Sequence, residues 1–289
     1  MKLRIGITGS HGLIGAAVVE TLRADGQEVL PLPRPTEKIE LPGLDAVVHL
    51  AGENIAGRWT VKKKVRIRDS RVTGTRLLSE ALAQSERAPR CFVCASAIGY
   101  YGDRGTEPLT DDSPPGRGFL AGVCREWERA TAPASAAGIR VVNLRFGVVL
   151  SADGGALAKL LLPFRLGLGG VMGNGRQFWS WVSIDDAVGA IRQAIQCDGL
   201  RGPVNVVAPT PVTNREFTRT LGRVLGRPTI LPMPALAARA AFGEMAEAAL
   251  LASAYVQPIR LEGSGYRFQH RDLEEALRSI LSPARAGGR

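Results

Sequence analysis

Cysteine is scarce, with four in 289 residues at Cys91, Cys94, Cys124 and Cys197. That is too few for the disulfide-dense framework of a small secreted domain. The opening MKLRIGITGSHG has no hydrophobic signal core, so a reducing cytoplasm is the expected setting. Long apolar runs are missing too. The nearest, 160–172 and 248–256, are short or broken by Arg165 and glycines, well below the roughly 20 unbroken apolar residues of a membrane span. No transmembrane helix is expected. The three histidines, His11, His49 and His270, are scattered without metal-ligand spacing, so no metal is expected. His49 ends a buried strand, and His11 sits where it touches a bound phosphate or only water. Aromatic residues make up 6% of the chain, which argues against the stacking platforms of a nucleic-acid binder.

What is present is enough for a core. With 45% hydrophobic and 22% charged residues and a mean hydropathy of +0.02, wholesale disorder is excluded. The length suits one or two domains. An excess of 37 Lys and Arg over 27 Asp and Glu gives +10. That excess favours an anionic partner, from nucleotide to nucleic acid.

The chain reads as alternating strands and helices. Residues 2–8 form a strand, 9–15 are glycine-rich, and 13–22 place apolar residues at helical spacing. Further strands are expected at Glu28–Leu32, 46–50, 91–95, 141–146 and 204–207, with helices at 60–84 and Ile184–Gln196. This alternation implies a Rossmann-type doubly wound α/β fold with a parallel sheet. After Leu150, glycines crowd 154–175 and prolines cluster from Pro203 to Pro234, which suggests a looped substrate region. A helix-rich C-terminal part follows from Ala235 to about Ile280, and the tail SPARAGGR should fray. The expected division is 1–235 for nucleotide binding, with 151–183 contributing to a substrate pocket, and 236–283 as a smaller C-terminal substrate region.

Gly9, Gly12 and Gly15 in TGSHGLIG form G-x-x-G-x-x-G between strand and helix. Glycine there allows a tight turn, close approach of a pyrophosphate and tight helix–strand packing, while the helix N-terminus offers free N–H groups. Dinucleotide binding follows. NAD enzymes place a carboxylate at the end of the second strand, but here that strand ends in Leu32-Pro33-Arg34. Arg34 can hold a 2′-phosphate or stand as a solvated surface arginine, and NADP(H) is the better fit.

The glycine loop, HLAGENI (49–55), RWT (58–60), SRV (70–72), SAIGYYG (96–102), FLAGVCREWE (119–128), LRFGVVL (144–150), GGALAKLLLPFRLGLGG and NVVAPTPVTNREF occur in order. Together they resemble the atypical extended short-chain dehydrogenase/reductases called the "epimerase family protein" group, which carry a C-terminal domain of unknown function. Gly243-Glu244-Met245, Pro258 and GYRF (265–268) resemble that extra domain. The resemblance implies NADP(H) across Gly9, Ser10, Gly12, Leu13, Ile14 and Gly15, with Arg34 at the adenosine phosphate. Leu50, Ala51 and Gly52 would line the cofactor, Arg71 would approach it from the long helix, and Val149 would sit near its far end. Arg71 also reads as plain exposed helix. A homodimer and a small-molecule substrate are implied as well.

The superfamily uses a serine with a tyrosine and lysine in Y-x-x-x-K, the lysine lowering the tyrosine pKa and holding the ribose. This chain has no Y-x-x-x-K. Ala97 stands at the serine position, Leu120 at the tyrosine and Cys124 at the lysine. Ser96, Tyr100, Tyr101 and Cys124 are the substitutes nearby, with Tyr101, Ser96 and Cys124 taken as the candidate catalytic set. An NADP(H)-dependent reductase or epimerase is therefore expected, and a non-catalytic NADP(H)-binding sensor is the alternative.

Other signals read as structure. Cys91 and Cys94 spell C-x-x-C, but residues three apart on a strand face opposite ways, so core packing is expected. The basic run Lys62–Arg68 has only Trp59 beside it and reads as a solvated helix face near an anionic cofactor, not a nucleic-acid stripe. Phe178, Trp179 and Trp181 floor a pocket or pack between domain and sheet. Met172–Arg176 reads as a loop over that pocket.

Overall fold

A computed structural model describes residues 2–35, 41 and 43–282. The predicted fraying of residues 283–289 lies outside the described residues. The sequence opens as expected with β1 (Arg4–Thr8), a glycine loop and α1 (Leu13–Ala24). β2 (Glu28–Leu32), β3 (Ala46–His49), β4 (Cys91–Ala97), β5 (Arg140–Phe146) and β6 (Gly202–Val206) complete the main sheet. All its pairings are parallel, in the order β6-β5-β4-β3-β1-β2. Pro31 and Pro203 fall in β2 and β6, the two edge strands of this sheet, where the N–H that proline lacks is not needed for a second ladder.

Helices cover both faces. α2 (Val61–Ala83) packs with α3 (Phe119–Arg129) on one side. After α4 (Gly155–Arg165), α5 (Ile184–Gln196) packs with α1 on the other. The core lies between these layers. Ile5, Ile7, Val48, Phe92 and Val142 from the strands meet Val18, Leu78 and Ile191 from the helices, all essentially without solvent contact. Each such side chain contributes about 1.5–3 kcal/mol by leaving water.

α4 corrects the expectation of an unstructured loop after Leu150. Its buried residues Leu157, Leu161 and Phe164 recur at helical spacing, and the apolar stripe prevails over Pro163 and the flanking glycines. The aromatic residues before α5 settle as packing. Trp179 and Trp181 are buried, Trp179 lies 5.1 Å from the ring of Phe217, and Trp181 Nε1 donates to the Thr210 carbonyl. The 172–176 loop is tied down as well: Met172 N donates to Asn214 Oδ1 and Gly173 N to the Met233 carbonyl.

After β6 comes α6 (Asn214–Leu225), and the C-terminal part that follows contains α7 (Ala235–Phe242) and α8 (Leu273–Leu281). It also adds a two-residue strand, Tyr255–Val256, beside Pro108–Leu109. Asp186 at the start of α5 fastens it to the core. This fully buried carboxylate accepts from Tyr266 Oη at 2.9 Å, Gln269 N at 2.7 Å and His270 N at 3.0 Å. Among the described residues no helix is long and apolar enough to cross a membrane.

Candidate cofactor site

The strand order reverses between β1 and β3, which opens a crevice at their carboxyl ends, the usual ligand position in such sheets. The glycine loop fills this place. Gly9 has φ +71°, and a Cβ there would stand 2.7 Å from Ala51 N and from the Leu50 carbonyl carbon. A Cβ at Gly15 would stand 2.1 Å from the Gly9 carbonyl oxygen. Glycine is therefore required at both points, because the loop lies directly against the end of β3 and α1 directly against the loop. Gly12 N donates to the Gly9 carbonyl at 2.9 Å and closes the turn.

Gly12 is also the N-cap of α1. It supplies no side-chain cap, and no acidic residue stands in the first turn. The leading N–H groups, near Leu13 and Ile14, thus remain available to an external anion. Ser10 is buried, and its Oγ lies 3.3 Å from His11 Nδ1. Across the crevice, the start of α4 approaches the same loop: a Cβ at Gly154 would lie 3.2 Å from Leu13 Cδ1, and one at Gly155 would lie 3.5 Å from the Val149 carbonyl. Val149 is thereby brought to the loop.

At the end of β3, Leu50, Ala51 and Gly52 follow His49, whose Nδ1 lies 2.6 Å from Thr8 Oγ1. Burial pulls the His49 pKa down to about 4, so the ring is neutral in the fold. The unfolded chain binds a proton near pH 6.5, whereas the native chain does not until about pH 4. Stability is therefore complete above about pH 6.5 and falls as pH drops toward and through 4, by about 3 kcal/mol in total. Urea midpoints measured from pH 7 to 4.5 should fall more steeply in the native protein than in His49→Gln. Parallel slopes would refute the assignment.

Arg71 projects from α2 beneath Gly52. Its Nη1 donates to the carbonyls of Glu53 at 2.9 Å and Ile67 at 3.2 Å, and its guanidinium lies 5.1 Å from the Trp127 ring centre. Burial lowers its pKa. Glu53 is held charged, its pKa lowered chiefly by the hydrogen bond from Lys63 Nζ at 2.6 Å. The rest of the basic run is largely paired too, with Lys64 on Glu244 and Arg68 on Glu126. Arg34 is exposed just beyond β2, and its charge contributes to the field at Glu53. The cofactor-side residues thus gather around one crevice, with Arg34 at its β2 margin.

The three candidate catalytic side chains are placed differently from the expectation. Tyr101 is completely buried, its Oη lies 2.6 Å from the acceptor Asn205 Oδ1 and 2.9 Å from the Thr110 carbonyl, and it accepts from Arg145 Nη1 at 2.8 Å. Burial pushes its pKa up to about 12, so this phenol is a structural strut without access to a substrate. Ser96 Oγ is spent on Glu128 Oε1 at 2.7 Å. Cys124 is buried and its thiol is pushed up to about 12, mainly by burial, which leaves it neutral and a poor nucleophile or base. A Cβ at Gly99 would lie 3.4 Å from Leu120 Cβ and 3.8 Å from Cys124 Sγ. The space where a tyrosine and lysine are expected is therefore lined by apolar groups.

The group missed by reading the sequence is the Glu128–Arg145 pair. Arg145 Nε and Nη2 donate to the two carboxylate oxygens, both at 2.8 Å, and the guanidinium stacks 3.6 Å from the centre of the Tyr100 ring. A lone arginine inside the apolar strand VVNLRF was the available signal, since a buried cation requires a partner.

Comparison with known proteins places this geometry. The family model described as "NAD dependent epimerase/dehydratase family" matches residues 5–207, and "Domain of unknown function (DUF1731)" matches 233–280. An epimerase family protein of Mycobacterium bovis is 43% identical, covering 94% of this chain and 96% of its own. The human epimerase family protein SDR39U1 is 36% identical, over 97% of this chain and 100% of its own. The crystal structure of human SDR39U1 (isoform 2) with NADPH superposes with a TM-score of 0.92 at 34% identity, covering 97% of this chain and all of that one. MoeE5 in complex with UDP-glucose and NAD has the same fold, at 20% identity and a TM-score of 0.78 over 98% of this chain and 99% of that one.

Proposed function

The chain belongs to the NAD dependent epimerase/dehydratase family, and from that premise we propose that it binds NADP(H) in the glycine-loop crevice. We propose further that it moves a hydride between this cofactor and a small carbonyl or alcohol substrate. The observation that carries the reading is the cradle itself. A Cβ at Gly9 or Gly15 would strike the backbone of Leu50 and Ala51 or of the loop itself, so only glycine lets the loop close against β3 and α1, and the uncapped N-terminus of α1 stands at its end. Gly9, Ser10, Gly12, Leu13, Ile14 and Gly15 would hold the pyrophosphate, with Leu50, Ala51, Gly52 and Val149 as walls and Arg34 at the 2′-phosphate. The NADPH-bound relative supports the choice of cofactor.

When bound, the cofactor supplies the hydride. The protein's own contribution is orientation, by the glycine loop and the apolar surface of Gly99, Leu120 and Cys124, and the proton that must accompany the hydride is exchanged with water, since Ser96, Tyr101 and Cys124 are otherwise engaged or buried. Residues up to 235 carry the cofactor in this reading, and the C-terminal region from 236 selects the substrate. A reducing cytoplasm fits as well, because all four cysteines are free and three are buried. A second reading, an NADP(H) sensor without turnover, is favoured by the loss of accessible proton donors at Ser96, Tyr101 and Cys124. A screen of aldehydes and ketones followed by NADPH absorbance separates the two. Turnover supports the enzyme, and tight NADPH binding without any turnover supports the sensor.

Arg34→Ala tests the phosphate assignment. An exposed charge-assisted contact of this kind contributes about 1.5 kcal/mol or more. Calorimetry should show NADPH affinity falling about tenfold while NADH affinity stays within about twofold. An unchanged ratio of the two affinities would remove Arg34 from the site.

A further inference from the structure

We propose that the outward face of α4 and the segment after α6 form a docking surface for an anionic membrane, which holds the protein at a lipid–water boundary without spanning it. The inference stands apart from the cofactor reading. Seven of the ten strongly exposed large apolar side chains among the described residues belong to two stretches: Leu162, Leu166 and Leu168 in one, and four between Ile230 and Leu236 in the other. The two stretches touch. Gly170 lies so close to the Leu231 carbonyl that a Cβ would strike it, Met233 N donates to the Val171 carbonyl at 2.9 Å, and Gly173 N donates to the Met233 carbonyl at 2.9 Å. A Cβ at Gly167 would lie 4.0 Å from Pro228 Cγ. The seven side chains therefore share one surface, whereas exposed leucines scattered singly would need no explanation.

α4 buries Leu157, Leu161 and Phe164 yet leaves Leu162 and Leu166, one turn apart, 67% and 63% exposed. A helix apolar on both sides is ordinarily covered on both. Charge identifies the cover. Residues 155–173 and 226–241 contain Lys159, Arg165, Arg227 and Arg239 and no carboxylate. Arg239 is paired with Glu247, while Lys159, Arg165 and Arg227 are exposed and make no ion pair among the described residues. Lys159 stands on the same face of α4 as Leu162 and Leu166. In a symmetrical dimer the patch would meet itself and set these cations against one another, which disfavours a second copy. A protein partner would be expected to meet aromatic anchors, but none of the seven side chains is a tryptophan or tyrosine. Aliphatic tips between long basic side chains suit a lipid surface instead. The tips enter the acyl boundary while lysine and arginine reach the headgroups, and the anionic leaflet attracts each cation. The net charge of +10 acts in the same direction.

The test is flotation of the full chain with vesicles of phosphatidylcholine alone or mixed with phosphatidylserine, at low and high salt. Partition onto the anionic vesicles should exceed that onto neutral ones by at least about tenfold and fall as salt rises. Arg165→Gln should cost about fivefold, the factor for one cation near an anionic surface. Leu162→Gln together with Leu166→Gln should cost at least about tenfold. Ile259→Gln, at an exposed apolar residue outside the two stretches, should change nothing. All four substituted side chains are exposed, so urea midpoints should stay close to native. Native protein that stays off the phosphatidylserine vesicles, binds both vesicle types equally, or keeps its partition in the double leucine variant would overturn the proposal. Sedimentation in the same buffers identifies the rival occupant. Without vesicle binding, a dimer dissolved by the leucine substitutions gives the patch to a second copy, and a monomer gives it to a protein partner; either result overturns the membrane assignment.

Discussion

Glu128→Ala is expected to remove about 3–5 kcal/mol of folding stability, read as a large fall in the urea midpoint. The reason is not the strength of the ion pair in isolation. Arg145 and Glu128 expose only 3% and 12% of their side chains, so the deletion leaves a guanidinium buried without its counter-charge. Ser96 loses its acceptor at the same time, because its hydroxyl donates to Glu128. Arg145 further supports Tyr101 Oη and the Asp111 carbonyl, and Asp111 in turn accepts from Asn205 N and Arg260 N. The pair therefore sits at the centre of a polar network joining β4, α3, β5, β6 and the C-terminal part. Replacing both partners by apolar residues of similar volume should be much less damaging than removing either one. A loss below about 1 kcal/mol for Glu128→Ala would mean that water or relaxation satisfies Arg145.

The second large effect is expected at Gly15. An added methyl group would stand 2.1 Å from the Gly9 carbonyl oxygen, a backbone atom that cannot swing aside. α1 must then lift from the loop, carrying its N-terminal N–H groups away from the position of the pyrophosphate. Gly15→Ala should weaken NADPH about a hundredfold or more, equivalent to about 2.7 kcal/mol. Gly122 provides the control. It is an interior position of α3 where an added Cβ meets nothing within 4 Å, so Gly122→Ala should be neutral or stabilising by about 1 kcal/mol. NADPH affinity in Gly15→Ala within a few-fold of native would show that the loop tolerates the methyl group and that its glycines are not there for a ligand.

Much of the fold was legible because its signals are local. Runs such as AVVHL and CFVCA are apolar throughout, as fully buried parallel strands must be, and the glycine loop sits at a strand–helix junction that sequence order alone reveals. Around α4 two local signals conflict: glycines and Pro163 point to a loop, whereas Leu157, Leu161 and Phe164 are spaced for a helix, and burial of that stripe decides the outcome. Site chemistry was harder to read. Tyr100 and Tyr101 are neighbours, and nothing in their order tells which one turns inward. The short turn at Ile98–Tyr101 buries Tyr101 and lays the Tyr100 ring over Arg145. Glu128 belongs to Arg145 only through the packing of α3 on the sheet, a relation between distant residues that periodicity does not carry. Arg71 was visible as a charge in a helix, but its position under Gly52 depends on how α2 docks.

The most direct experiment is a calorimetric titration of the native protein with NADPH and NADH in one buffer at fixed ionic strength. Saturable binding of one NADPH per chain, at least about tenfold tighter than NADH, is the result expected from the loop and Arg34. No saturable heat with NADPH, or equal affinity for the two nucleotides, would contradict the assignment of this crevice to NADP(H).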